Sequence, residues 1–344
     1  MKLKFKLLFL FFGLLYLSAQ ADEYTRDEHS AYLKSVIQSL DITNKFGTIT
    51  INDFGGDSII VDALITVENS NEGKAEYLLD QIEIKVNRIG NLLRVETEIK
   101  DDFKTKRNFS IDYTINIPAD RNLTVANKFG DVVVNKLNAN GKFDISYGNI
   151  STGDLLAPEN SKINMEIAYG KADIESVNHL QTEIRYSKLF IGQALSIYAD
   201  SKYSGLNIEE IDVLTLESKY DGVSIEKVNS VKADSKYTNY DIEKLGESLV
   251  LDTQYGSVQI DNVADTFENI DITNSYGGIE IGLDEAEYYL NASCDYCDVK
   301  YPEEKFVGNR EKEDHRYSVQ GTIGNATKAK VTIKSRYGGI KLEN

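Results

Sequence analysis

Apolar and polar residues alternate in short runs through most of this chain, and the runs recur in one register. An aromatic residue marks the register at Phe46, Phe129, Tyr147, Tyr169, Tyr186, Tyr203, Tyr220, Tyr237, Tyr255, Tyr276, Tyr296 and Tyr337. From Tyr169 to Tyr237 the spacing is 17 residues each time, and it is 18 to 22 in the neighbouring intervals from Phe129 to Tyr296. Six residues before the aromatic the chain is apolar in eleven of the twelve coils, as at Leu180, Ile197, Leu214, Val231 and Leu249. Three after it is apolar again, as at Val223 and Val258, and five after it is Ile at 174, 191, 208, 225, 242, 260 and 281. Alternation with period two is the mark of a strand with one buried face.

The residue following the aromatic is glycine at Gly47, Gly130, Gly148, Gly170, Gly256, Gly277 and Gly338. Glycine reaches positive φ without steric cost, so these positions predict tight corners. Each unit then reads strand, corner, strand, corner. A unit this short cannot bury its apolar face alone, whereas stacking units about 4.8 Å apart joins the faces into one core. The prediction is an all-β chain: a parallel β-solenoid, or single-stranded β-helix, of about 11–12 short coils.

Two interruptions break the register. Between Phe46 and Phe129, Ser70-Asn71-Glu72 followed by Ala75, Leu78, Leu79 and Ile82 predicts a short capped helix. Alternating segments follow at Ile82–Val86, Leu92–Ile99 and Phe109–Ile117, stopped by Pro118. Residues 22–122 thus read as a first coil with a small α+β cap inserted over the open N-terminal end. Residues 123–301 read as the solenoid, 302–318 as an exposed charged loop, and 319–344 as a final coil.

The strings Ile42-Thr-Asn-Lys-Phe-Gly-Thr-Ile-Thr-Ile51, Val125-Ala-Asn-Lys-Phe-Gly-Asp-Val132 and Ser275-Tyr-Gly-Gly-Ile-Glu-Ile281 resemble the bacterial putative-adhesin β-strand-repeat family, a domain of unknown function. The resemblance extends over nearly all of the chain after residue 21, including Phe109 to Pro118. It implies the same solenoid and an adhesin-like surface, and it brings no catalytic residues.

The first 21 residues change the compartment expected. Lys2, Lys4 and Lys6 precede an apolar run from Leu7 to Leu17, and Ala19-Gln20-Ala21 is a small-x-small cleavage site. The run is too short for a stable membrane span. Residues 1–21 therefore read as a signal peptide, placing the chain in the periplasm, on the cell surface or outside the cell, with no membrane span after cleavage. Loss of the three lysines takes the formal charge from −17 to −20, which argues against nucleic acid as partner. A surface glycan or another envelope protein fits better.

Candidate chemistry is sparse. Acidic columns precede the aromatics at Asp144, Glu166, Glu183, Asp200, Glu217, Asp234 and Asp252, and follow them at Glu175, Glu209, Glu226, Glu243 and Asp261. Stacked carboxylates suit Ca²⁺, but Arg185, Lys202, Lys219 and Lys236 lie two residues from the first column and favour mutual neutralisation. The aromatic column, Tyr147 to Tyr276 above all, shares parity with core positions and reads as a structural ladder on the inner side of the corner, rather than a sugar-stacking stripe. Ser201, Ser218, Ser235 and Thr253 share that parity and lack a neighbouring base. Cys294 and Cys297 form a C-x-x-C without the helix that redox catalysis needs, which leaves a disulfide across the corner. His29, His179 and His315 lie far apart, so metal or cofactor chemistry is not indicated. The reading is a non-enzymatic envelope scaffold or adhesin-like surface. The alternatives are a carbohydrate-active β-helix enzyme, its site at the N-terminal cap or the 302–318 loop, and a Ca²⁺-dependent polysaccharide binder.

Overall fold

The structure is a computed structural model that describes residues 22–325 and 328–343; the leader 1–21 lies outside the described residues. One turn shows why the sequence closes into a coil. Ala172, Ile174, Val177, Leu180, Thr182, Ile184 and then Ser187 are buried. These positions are two apart along straight stretches and three apart at 174–177, 177–180 and 184–187. Each step of three turns the strand by one residue while keeping the next side chain inside. A turn thus has three bends, and the aromatic, with its positive φ, occupies one of them.

From Lys171 to Lys236 successive turns pair in parallel without slippage. Lys171–Arg185, Lys188–Lys202, Gly205–Lys219 and Gly222–Lys236 align so that Ile174, Ile191, Ile208 and Ile225 form one column, and Leu180, Ile197, Leu214 and Val231 another. The result is a parallel β-solenoid with about nine turns in chain order, their corners running from Phe129 to Tyr276. The core is continuous from Ile37 to Leu342.

At the N-terminal end, Phe109–Ile117 lies parallel on Ile49–Asp53, and Leu92–Ile99 lies parallel on Ser39–Lys45. Antiparallel strands Ser58–Asn69 and Asp22–Leu33 extend one side, and Ile82–Ile89 extends the other. The helix spans Glu72–Leu79, with Asn71 accepting the Lys74 N–H at 2.9 Å, and buries Ala75, Leu78 and Leu79. The strand Asp22–Leu33 is not marked by apolar alternation, because its half-buried side carries Tyr24, Arg26, Glu28, Ser30 and Tyr32. Arg26 instead donates to the carbonyls of Leu79 and Ile82 at 2.8 and 2.6 Å.

The C-terminal end departs from the expected order in two ways. Residues 302–318 are not a loop. A 3-10 turn at Glu303–Lys305 leads into an antiparallel hairpin of Phe306–Glu313 and Arg316–Ile323, which pairs onto Tyr288–Asp295 and covers the last layer. The coil predicted within 319–344 is the last in sequence but not in space. Lys330–Arg336 lies between Asn269–Ser275 and Tyr288–Asp295, in parallel with both. The chain therefore climbs past an empty layer, turns back in the hairpin and fills the gap with its C-terminal strands. Both edges of the gap are then paired, which is what makes the detour stable.

Candidate functional site

The corner carrying the aromatic column is the most regular exposed feature of the molecule. Each of its aromatics has positive φ, between 51° and 63°. A left-handed residue reverses the alternation, so the side chain that parity places inside points outward. Tyr220 is 48 % exposed, and its neighbours resemble it. The inward placement expected from parity is therefore corrected: the column is a half-exposed ladder. A positive φ costs a non-glycine residue about 1–2 kcal/mol. Stacking offsets this, since aromatic contacts contribute about 0.5–1.5 kcal/mol beyond area burial. Consecutive rings from Tyr147 to Tyr276 are 4.6–5.1 Å apart and within 8° of parallel. Phe46 and Phe129 extend the ladder downward, and Phe109 and Phe103 close it. At the other end it passes from Tyr276 through Tyr337 to Tyr296 and stops at His315.

This geometry determines what the ladder can contact. Ring faces are occupied by neighbouring rings, so a pyranose cannot stack on them within the column. Ring edges and phenol hydroxyls face water. Cations flank them: Lys128 lies 5.0 Å from the Phe129 centroid and Arg336 5.1 Å from that of Tyr337.

Corner glycines have a different role from the one expected. Gly47, Gly130, Gly148, Gly170, Gly256, Gly277 and Gly338 do not carry the positive φ; the aromatic before each does. They are needed for close approach. A Cβ on Gly277 would lie 1.8 Å from the Gly256 carbonyl oxygen, and one on Gly256 1.8 Å from that of Thr238. The middle coils solve the corner differently. Ser187, Ser204, Asp221 and Thr238 stand where the others have glycine, and Ser187, Asp221 and Thr238 turn into the interior. Asp221 accepts the Ser204 N–H at 2.7 Å, the Ser218 hydroxyl at 2.6 Å and the Lys219 N–H at 3.2 Å. Ser218 also meets the Thr238 hydroxyl at 2.7 Å, and Ser235 donates to Thr253 at 2.9 Å. Burial holds the Asp221 carboxyl above the ordinary carboxylate range, against the opposing effect of these hydrogen bonds. Sequence reading did not single out Asp221. A charged residue in a column otherwise Gly, Ser, Thr or Cys was the available signal.

The acidic columns are exposed and only partly paired. Arg185 sits 3.4 Å from Glu183 and 3.0 Å from Asp200, and Tyr198 donates to Glu217 at 3.1 Å. Among the described residues no group of three or more His, Cys, Asp or Glu side chains is placed to hold a metal ion. The histidines stay separate: His29 pairs with Asp62 at 2.6 Å, His179 meets Ser196 at 2.8 Å, and His315 stacks on Tyr296. Cys294 and Cys297 are joined by a disulfide at the Tyr296 corner. Away from the ladder, a shallow groove of about 350 Å³ runs over Val177, Ala194 and Ile211 beside exposed Leu195. Among the described residues no helix is long and apolar enough to cross a membrane.

Several solved structures align with this chain at low similarity. A "putative cell adhesion protein" of Clostridium sporogenes aligns at 10 % identity over 93 % of this chain and 99 % of its own, with a TM-score of 0.24. A "putative adhesin" of Parabacteroides merdae aligns at 14 % identity over 74 % of this chain and 96 % of its own, with a TM-score of 0.33. A "putative lipid binding protein" of Parabacteroides distasonis aligns at 12 % identity over 74 % and 95 %, with a TM-score of 0.27. No curated protein matches the chain. The Toastrack DUF4097 profile matches residues 37–343, nearly the whole described chain, and the protein belongs to that family.

Proposed function

We propose that this protein is an exported, non-enzymatic scaffold of the cell envelope that presents an adhesin-like binding surface. The observation that carries the reading is the repetition of exposed side chains in register. From Tyr147 to Tyr276 each turn adds one ring, and most add a charged residue, to the same columns. Such a surface suits many weak, equivalent contacts with an extended partner better than one enclosed substrate. At about 4.8 Å per layer, the twelve corner rings extend over roughly 55 Å. The names of the adhesin-like neighbours accord with this reading.

A carbohydrate-active enzyme at residues 302–318 fits less well. That segment is tied down as a hairpin on Tyr288–Asp295, and the carboxyl that burial raises, Asp221, is sealed beneath the corner.

Protease shaving of intact cells, followed by mass spectrometry of the intact protein, tests the proposal. The expected result is a chain beginning at Asp22 that is cleaved from outside, or cleaved once the outer membrane is permeabilised. A cytoplasmic chain retaining Met1 to Ala21 would overturn it.

A further inference from the structure

The described surface is predominantly acidic, yet the residues that border the ladder most closely in the middle coils are not. Immediately before the rings stand Arg185, Lys202, Lys219 and Lys236, and two after the rings stand Lys171 and Lys188. Arg185 and Lys171 are committed to Asp200 and Asp173 at 3.0 and 2.7 Å, and Lys202 lies 3.9 Å from Asp200. Lys188, Lys219 and Lys236 form no ion pair among the described residues, and all three are exposed. Of the acids behind them, Asp200 sits on Arg185, while Glu217, which accepts from Tyr198, keeps its charge beside Lys219. Asp221 is buried below the corner. Asp234 stands to Lys236 as Glu217 does to Lys219, two residues before it, so each of these two lysines has one carboxylate behind it and the ring edge in front.

Between Tyr186 and Tyr237 the corner therefore presents ammonium groups, phenol hydroxyls and ring edges side by side. Each attracts negative charge: the ammonium by Coulomb interaction, the hydroxyl as a donor, and the ring edge through its quadrupole. The faces that would hold a neutral sugar ring are closed by stacking at 4.6–4.9 Å. Acidic residues farther than about 8 Å are largely screened at physiological ionic strength, so contact depends on which charged groups reach the ring edge, and the lysines stand next to the rings. Layers repeat at about 4.8 Å, close to the length of one sugar unit in an extended chain. Successive anionic units would then meet successive coils.

We propose that the aromatic corner from Tyr186 to Tyr237 binds an extended anionic polysaccharide, its carboxylates held by Lys188, Lys219 and Lys236 and by the tyrosine hydroxyls between them. The proposal rests on the reading of the protein as an exported binding surface and names the class of partner.

The test uses the full mature chain with polygalacturonate as probe and its fully methyl-esterified form as the neutral control, by calorimetry. The expected result is binding to the acid form alone, weakening as NaCl rises from about 50 to 500 mM because surface ion contacts are screened. Lys219→Gln with Lys236→Gln should weaken it at least tenfold, and the charge-reversed Lys219→Glu with Lys236→Glu should abolish it. Both side chains point into water, so far-ultraviolet circular dichroism and melting temperature should stay those of the parent. Equal binding of acid and ester, no binding to either, or unchanged affinity in both double variants would overturn the proposal. Failure here with cell-surface shaving intact removes the anionic partner and leaves the envelope scaffold. Failure of shaving removes the scaffold whatever the calorimetry gives.

Discussion

The middle of the solenoid and its C-terminal end are built from the same strands but differ in corner and in order. In the middle, each 17-residue coil follows its predecessor, and Ser187, Ser204, Asp221 and Thr238 fill the corner with inward or half-buried polar side chains. Toward the end, Gly256, Gly277 and Gly338 let backbones approach, and the last strands in sequence fill the layer below Tyr288–Asp295. A repeat thus specifies the geometry of a layer without specifying which layer comes next. In the middle the corner N–H groups of Gly170, Ser187 and Ser204 donate to side chains of the next coil, whereas at glycine corners Asn127, Asn274 and Ser335 donate to the carbonyls of Gly47, Gly277 and Gly338.

Removing residues 328–344 should have the largest effect and should separate the two regions. It deletes Val331, Ile333, Ile340 and Leu342, each 3 % exposed or less, and each such side chain is worth about 1.5–3 kcal/mol. It also leaves Asn269–Ser275 and Tyr288–Asp295 facing an unfilled layer. We expect limited proteolysis to remove everything beyond about residue 283 while the middle coils stay protected. A sequentially stacked end would lose only the deleted layer, and that outcome would contradict the threading.

Corner substitutions come next. Gly277→Val meets the Gly256 carbonyl and should cost about 3 kcal/mol, the upper part of the overpacking range. Gly205→Ala, in the middle, meets nothing within 4 Å and should change stability by under about 0.5 kcal/mol. Gly205 lies one residue past the corner position held by Ser204, so urea denaturation of the two variants measures what close approach at the corner contributes, and equal costs would remove that role.

The ladder should respond less. Tyr220→Ala removes stacking with Tyr203 and Tyr237, at 4.9 and 4.6 Å, and should cost about 1–2 kcal/mol. Tyr220→Gly loses the same contacts but relieves the positive φ of 61°, and should be about 1 kcal/mol more stable than the alanine variant. Denaturation curves showing glycine the worse of the two would mean that backbone strain is not what the stacking offsets.

The smallest effect is one of pH. Burial raises the folded-state pKa of Asp221 above its unfolded value, so the folded chain holds that proton longer. Its contribution is fully present below the ordinary carboxylate range and is lost as pH rises through the folded pKa. Asp221→Ser, which copies Ser204 one coil below, should abolish that loss. Melting temperatures from pH 4 to pH 8 should show the parent falling relative to the variant as pH rises. Parallel curves would place the titration elsewhere.

The sequence by itself determined the strands of the coils, their register and their stacking, but not the hairpin strands Phe306–Glu313 and Arg316–Ile323. Alternation of Leu180, Thr182 and Ile184, or of Leu206 and Ile208, states which face is inside, and in-register recurrence states that faces join. The helix at Glu72–Leu79 was equally legible through Asn71 and its apolar spacing. The strand Asp22–Leu33 was not, since its inner side is polar and only the partner strand Ser58–Asn69 gives it a place.

Three matters were decided by the tertiary structure alone. The direction of the tyrosine rings depends on a left-handed backbone, which inverts the parity that sequence reading must assume. The role of the corner glycines depends on a carbonyl in the adjacent layer, many residues distant in the chain. The order of the last layers depends on which exposed edges remain to be paired once the hairpin has formed. Period and polarity are local properties and are written along the chain. Handed backbone states, close approach and edge pairing arise between segments, and a one-dimensional pattern carries no record of them.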